Sequence, residues 1–356
     1  MRWDALRTGA ADGRPGVPAA PVLFEQGAVT RTFDTPAFRG MTFFEVQARS
    51  IINRVPDASR VPFRYTINPY RGCSHSCVYC FARKSHTYLD LDSGHDFDTK
   101  IVVKVNAPDL ARKELAAPRW RGEHIAMGTN VDCYQRAEGR YRLMPGILTA
   151  LRDAANPFSI LTKGTLILRD LELICQAAEV TDVGLAVSVG CADQELWREL
   201  EPGTPSPQRR LEVCGAFAAV GLPCAVLMGP IVPFLSDSPE QLDHTVRQIA
   251  AAGAASVTPI VLHLRPGARE WFYRWLGAQH PGLIPRYRGL YGQGSYASAA
   301  YQRRVTEHVR ALAQRYRVGA GAPRARDHDR PAARFARGAA RPGNPTADAP
   351  TQLRLV

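Results

Sequence analysis

Read for spacing alone, the 356-residue chain divides into short β-branched or apolar runs separated by amphipathic stretches. The runs are Arg64 to Asn68, Ile101 to Val105, Ile125 to Gly128, Phe158 to Thr162, Val183 to Val189, Cys224 to Met228 and Val257 to Leu264. Such runs read as strands, and several stretches between them carry the period of a helix with one apolar face. The clearest helix start is Ser238, Pro239 and Gln241, a cap, a first-turn proline and a capping-box partner ahead of Leu242, Val246 and Ile249, with Gly253 after the end. Another begins at Asp170, with Leu171, Ile174, Cys175 and Ala178 on one stripe. Strand–helix alternation over roughly 200 residues predicts a parallel sheet, either open and doubly wound or a full or partial barrel. Periodicity alone does not choose between them.

The two ends lose this pattern. Residues 1–60 are rich in Gly, Pro, Arg and Thr and predict an irregular N-terminal arm, with Phe43, Phe44, Val46, Ile51 and Ile52 as apolar points able to dock on a core. The core is placed at 61–290 and a helical cap at 291–317. Residues 318–356 set Arg324, Arg326, Arg330, Arg334, Arg337, Arg341 and Arg354 among Ala, Pro and Gly, too little apolar surface to offset ordering entropy. They predict a disordered basic tail.

The longest uncharged run, Val213 to Leu235, is broken by Pro223, Pro230, Pro233 and three glycines. It reads as a helix end, a turn and a buried strand rather than a membrane span. Met1 to Pro15 mixes Arg and Asp without a signal-peptide apolar stretch, which predicts a cytoplasmic protein. The net charge is +12, yet all but five of the 45 basic residues are arginine. That bias licenses an anionic partner only weakly.

Eight cysteines are too few for a disulfide scaffold in a chain this long. Cys73, Cys77 and Cys80 form a CxxxCxxC loop directly after an extended run. Three thiolates so close can wrap one metal centre. A structural zinc site closes with four protein ligands, and Cys133, Cys175, Cys191, Cys214 and Cys224 are dispersed, so three ligands leave one position open. Thiolates also suit iron–sulfur clusters, and a four-iron cluster on three cysteines keeps one iron free.

The loop, with Tyr79 as the aromatic before its last cysteine, resembles the signature of the radical S-adenosylmethionine (SAM) enzymes. The resemblance continues through Ile67 to Arg83, His86, Gly128 to Gln135, Leu161 to Gly164, Arg169-Asp170, Glu201-Pro202, Arg210-Leu211 and Pro230 to Pro233, and looks like the spore photoproduct lyase-like branch. It covers roughly residues 30 to 290 and is nearest to a group of high-GC bacterial proteins often labelled DNA-repair photolyase-like. It implies a partial (β/α)6 barrel with the cluster in the loop after the first strand. It implies a 4Fe-4S cluster and SAM as cofactors, reductive cleavage of SAM to a 5′-deoxyadenosyl radical, and an electron donor. It further implies Tyr79 against the adenine, Lys163 on the SAM carboxylate, Ser188 at the ribose or carboxylate, and the Gly128 to Asp132 segment at the amine.

Here the chain departs from the branch: Val131 cannot hydrogen-bond, so the amine contact falls to Thr129, Asn130, a backbone carbonyl or the cluster. The branch's hydrogen-donor cysteine is matched by Thr129, which leaves Cys133 as a candidate donor and an inert buried thiol as its plainer reading. For His75 and His86 local loop hydrogen bonding is expected. Similarity to photoproduct lyase implies a nucleic-acid substrate. Arg119, Arg121, Arg140 and Arg142 beside Trp120 and Tyr141, and Arg265 to Tyr291 with Trp271, Tyr273 and Trp275, are compatible with phosphate contact and base stacking. A small molecule, peptide or protein substrate, or a non-catalytic Fe–S and SAM-binding sensor or assembly factor, are the alternatives. Gln352 to Val356 resembles the peptides with which bacterial repair proteins hold the sliding clamp, an additional partner reading.

Overall fold

The computed structural model describes residues 27–319 apart from 58 and 60. The tail from residue 320 onward, with the clamp-like Gln352 to Val356, lies outside the described residues, as does the arm before residue 27.

Six strands run parallel in sequence order: β4 (Tyr65–Ile67), β7 (Ile125–Met127), β8 (Phe158–Thr162), β9 (Val183–Ser188), β10 (Cys224–Ile231) and β11 (Ser256–Val261). They match six of the seven apolar runs. An antiparallel strand, β3 (Ile52–Arg54), closes the β4 edge, and β11 ends the other, so the sheet does not join on itself. The partial (β/α)6 barrel is therefore the architecture.

The seventh run lies elsewhere. β6 (Lys100–Lys104) belongs to a separate four-stranded sheet with β1 (Val29–Arg31), β2 (Thr42–Val46) and β5 (Tyr70–Arg71). The stretch expected to be an irregular arm thus supplies β1, β2 and β3. Phe43 and Ile51 reach the main core, while Phe44, Val46 and Val102 pack with Leu89 and Leu91 in a smaller cluster.

Helices follow the strands as amphipathic covers. The short α1 (His95–Thr99) leads into β6, and α2 (Ala107–Leu115) and α3 (Arg136–Tyr141) flank β7 in sequence. α4 (Leu143–Asp153) buries Met144, Ile147, Leu148 and Leu151. α5 (Leu171–Val180) starts at Asp170 as expected, but its buried residues are Ile174 and Ala177, with Cys175 only half-buried. α6 (Gln194–Leu200) follows β9, and α7 (Pro207–Ala219) precedes β10, so the uncharged run is helix, turn and strand. α8 (Pro239–Ala251) carries the reciprocal Ser238 and Gln241 capping box, a device worth about 1 kcal/mol, and buries Leu242, Val246 and Ile249. The chain then adds α9 (Ala268–Gln279), α10 (Ile284–Tyr291) and α11 (Ala299–Arg315), which packs on α8 and β11 through Tyr301, Val305, Val309 and Leu312. Among the described residues no helix is long and apolar enough to cross a membrane.

Candidate functional site

The cysteine loop is held between the two sheets. β4 belongs to one and β5 to the other, and Gly72 turns the chain at φ +77° into Cys73. Only glycine fits there, because a Cβ would stand 2.8 Å from the Lys100 carbonyl oxygen. Backbone bonds then tie the loop to its surroundings: Cys73 N–H to Phe97 O at 2.9 Å, Val78 N–H to Leu200 O at 3.0 Å and Gly203 N–H to His75 O at 3.1 Å. Gln135 spans the loop, accepting from Ser74 N–H and donating to Gly72 O, each at 2.9 Å. Behind it, Arg83 is fully buried between the Phe97 and Trp271 rings and donates to Cys77 O at 3.0 Å, Gly94 O at 2.8 Å and Asp98.

Cys73 and Cys77 are buried and Cys80 half-buried. Burial pushes all three thiols up, and the Cys73 thiol is raised further by Asp132 and by the other two thiols. Three thiols in one another's field, in a loop with little other acceptor chemistry, form a soft-donor set that fits iron–sulfur ligation. Among the described residues no three His, Cys, Asp or Glu side chains converge around a single ion. A cluster asks for a wider triangle, because each cysteine takes a different iron. The Ser74 hydroxyl, inside the same loop, is buried without a hydrogen-bond partner.

Beside the loop, the C-terminal ends of β8 and β9 bring charges together. Lys163 Nζ lies 2.6 Å from Ser188 Oγ, 3.1 Å from Glu201 Oε1 and 6.0 Å from the centre of the Tyr79 ring. Glu201 also accepts from the Tyr79 hydroxyl and the Arg210 guanidinium, and Arg210 donates to Ser188 O at 2.7 Å. Ser188 Oγ donates to Gly229 O at 2.8 Å. Burial alone would raise the Glu201 carboxyl, but Arg210 and Lys163 outweigh it and hold the group down to about 2. Asp132 is a second hub, accepting from Lys163 N–H at 2.6 Å, Thr162 Oγ1 at 2.7 Å and Tyr134 N–H at 2.8 Å, with His75 Nδ1 at 3.5 Å. A small cavity opens on Tyr79, Cys191, Trp197, Glu201 and Pro230.

The structure thus brings Tyr79, Lys163 and Ser188 together next to the three cysteines. Thr129 and Asn130 follow β7, half-buried, and among the described residues neither side chain has a hydrogen-bond partner. Cys133 is buried, its thiol pushed up by burial and by the Asp132 and Glu138 charges, with a further contribution from Cys73. His86 Nε2 meets Lys100 O at 2.8 Å, whereas His75 reaches out of its loop to Asp132, 57 positions on, rather than making the local bond expected of it. Reasoning from sequence assigns no individual role to Glu201, Arg210, Gln135 or Arg83, and includes Asp132 only as the end of the segment implied at the amine. All five lie within segments that carry the resemblance, but their pairing joins residues up to 122 positions apart, as Tyr79 with Glu201 shows. Trp120 donates to Asn156 Oδ1 at 2.7 Å and Tyr141 to Glu45 at 3.0 Å, while Trp271 covers the buried Arg83, Trp275 lies against Phe272 and Tyr273 against Tyr287, so these aromatics contribute to packing.

Residues 67–249 match the Radical SAM superfamily. The chain is 50% identical over 318 residues to an uncharacterized protein of Mycobacterium tuberculosis, covering 89% of this chain and 93% of that one. It is 30% identical over 195 residues to an uncharacterized protein of Methanocaldococcus jannaschii, covering 54% of this chain and 69% of that one. Among solved structures, a cysteine-to-serine mutant of spore photoproduct lyase superposes with a TM-score of 0.58 at 17% identity, covering 78% of this chain and 80% of that one. A double mutant of that lyase with bound AdoMet and dinucleoside spore photoproduct superposes with a TM-score of 0.56 at 15% identity, covering 74% and 77%. At these identities the likeness is one of fold.

Proposed function

The chain belongs to the radical SAM superfamily, and from that premise we propose that it is an enzyme which takes a hydrogen atom from a nucleic-acid substrate. The observation that carries the reading is Lys163 held between Ser188 and Glu201, with Tyr79 bonded to the same Glu201, directly beside the three-thiol loop. In this reading Cys73, Cys77 and Cys80 hold a 4Fe-4S cluster and leave one iron open to SAM. When bound, the reduced cluster and SAM supply a carbon radical able to take hydrogen from an unactivated C–H bond.

The protein's part is binding and orientation. Lys163, a point charge on a flexible stem, takes the SAM carboxylate while its backbone stays fixed by Asp132. The Tyr79 ring, its hydroxyl held by Glu201, offers a flat wall of the cavity to the adenine. Ser188 presents its hydroxyl to the ribose or carboxylate, and in this reading Thr129 or Asn130, free of other bonds among the described residues, takes the amine. Cys133 is the candidate hydrogen donor: Cys133→Ala keeps iron and SAM cleavage but loses product.

Nucleic acid is favoured as substrate by the fold shared with a lyase solved with a dinucleoside photoproduct, and the +12 charge adds only weak support. The test is anaerobic reconstitution with dithionite and SAM, with and without dimer-containing DNA. 5′-Deoxyadenosine whose yield rises with that DNA supports the reading. Yield indifferent to DNA removes the substrate, and SAM binding without any 5′-deoxyadenosine removes the enzyme in favour of a sensor.

A further inference from the structure

Two exposed aromatic side chains near the cysteine loop belong to one row. Phe81, the residue after Cys80, is 37% exposed and Tyr296 is 56% exposed. His263 lies between them, its ring centre 5.7 Å from Phe81 and 5.8 Å from Tyr296, at interplanar angles of 37° and 31°. The row crosses the open side of the barrel. His263 follows the C-terminal end of β11, the last parallel strand, whereas Phe81 belongs to the loop of β4, the first. A bridge from His263 to Tyr296 and a bond from Leu264 N–H to Ser295 O at 2.7 Å fix the outer end.

The row carries positive charge at its inner end. The Arg265 guanidinium sits 5.6 Å over the Phe81 ring, and Lys84 packs under Gly267 of the same turn. Both are exposed, and among the described residues neither has an acidic partner. Phe81 has both Arg265 and His263 against its ring, whereas Tyr296 is the more exposed aromatic of the row.

Resting on the nucleic-acid reading above, we propose that Phe81, His263 and Tyr296 form a stacking platform for an unpaired base of a single-stranded or locally opened strand, with Arg265 and Lys84 taking its phosphates. A base laid on Tyr296 extends the row by one ring, and every base has a π-face to offer. The row's other end adjoins Cys80, so the platform holds a nucleotide next to the reacting one at the rim where the chemistry takes place.

The test uses the full reconstituted chain with SAM and two labelled probes, hexathymidylate and a hexamer of the same backbone without bases, read by fluorescence anisotropy. Tyr296→Ala is expected to weaken hexathymidylate binding by about fivefold to a hundredfold and to leave the base-free hexamer and SAM affinity unchanged. Tyr296→Phe, which keeps the ring, is expected to bind like the parent, and Arg265→Ala to weaken both probes. Hexathymidylate binding that survives Tyr296→Ala, or equal loss for both probes, overturns the platform while nucleic acid stays the substrate class. A parent chain that holds neither probe overturns the platform and the substrate reading together.

Discussion

Glu201 concentrates the electrostatics of the site. Its carboxylate is buried with Arg210, Lys163 and Tyr79 around it, and taking one partner away leaves a charge in a medium that cannot solvate it. Arg210→Met is therefore expected to cost about 3–5 kcal/mol of stability, read from urea midpoints. The acid limb carries the same signature. The folded carboxyl, held down to about 2, lies below the ordinary glutamate value of 4.5, so its stabilisation is complete above about 4.5 and fades as pH falls through about 2. Midpoints followed from pH 5 to pH 2 should fall more steeply for the parent than for Glu201→Gln, and parallel curves contradict the assignment. Lys163 acts in the opposite sense on the ligand. Lys163→Ala should lower SAM affinity about tenfold to a hundredfold with iron content unchanged, the loss of one charged hydrogen bond, and equilibrium dialysis checks it.

At the scale of elements, Gly128 decides how close β7 and β8 may lie. It sits at φ +76°, and a Cβ there would come 1.8 Å from the Leu161 carbonyl oxygen, a backbone atom with nowhere to go. Gly122 has a similar φ of +69° with nothing within 4 Å, so the pair separates conformational strain from collision. Gly122→Ala should cost about 1 kcal/mol, and Gly128→Ala clearly more, with a larger fall in melting temperature. Equal falls would place the cost in φ alone. The six parallel strands were legible because each is a short apolar or β-branched run bounded by turn residues, although β11 is only half-buried. Ile101 to Val105 is such a run too, and nothing local distinguishes it from a barrel strand. Its assignment to the second sheet was set by pairing with Thr42–Val46, some sixty residues away, in a region whose Gly and Pro content masked three short strands. Of the site, the thiol loop was readable because its ligands lie within eight residues. Tyr79, Lys163 and Ser188 were legible only through the resemblance, and the carboxylates and guanidinium between them through neither.

For the molecule as a whole, two sheets share one short loop. β4 enters from the barrel, β5 leaves into the smaller sheet, and Gln135, Leu200 and Arg83 hold what lies after them. A loop fixed from both sides can present three thiols in one arrangement and keep a fourth position for a ligand supplied from outside. The measurement that bears on this most directly is electron paramagnetic resonance of the anaerobically reconstituted, dithionite-reduced chain, recorded with and without SAM alongside iron and zinc content. The parent and Cys133→Ala should both carry a four-iron cluster whose signal changes when SAM is added, and Cys73→Ala, Cys77→Ala and Cys80→Ala should each lose it. Zinc in place of iron, a signal indifferent to SAM, or loss of the cluster in Cys133→Ala would contradict a three-cysteine centre with one open iron.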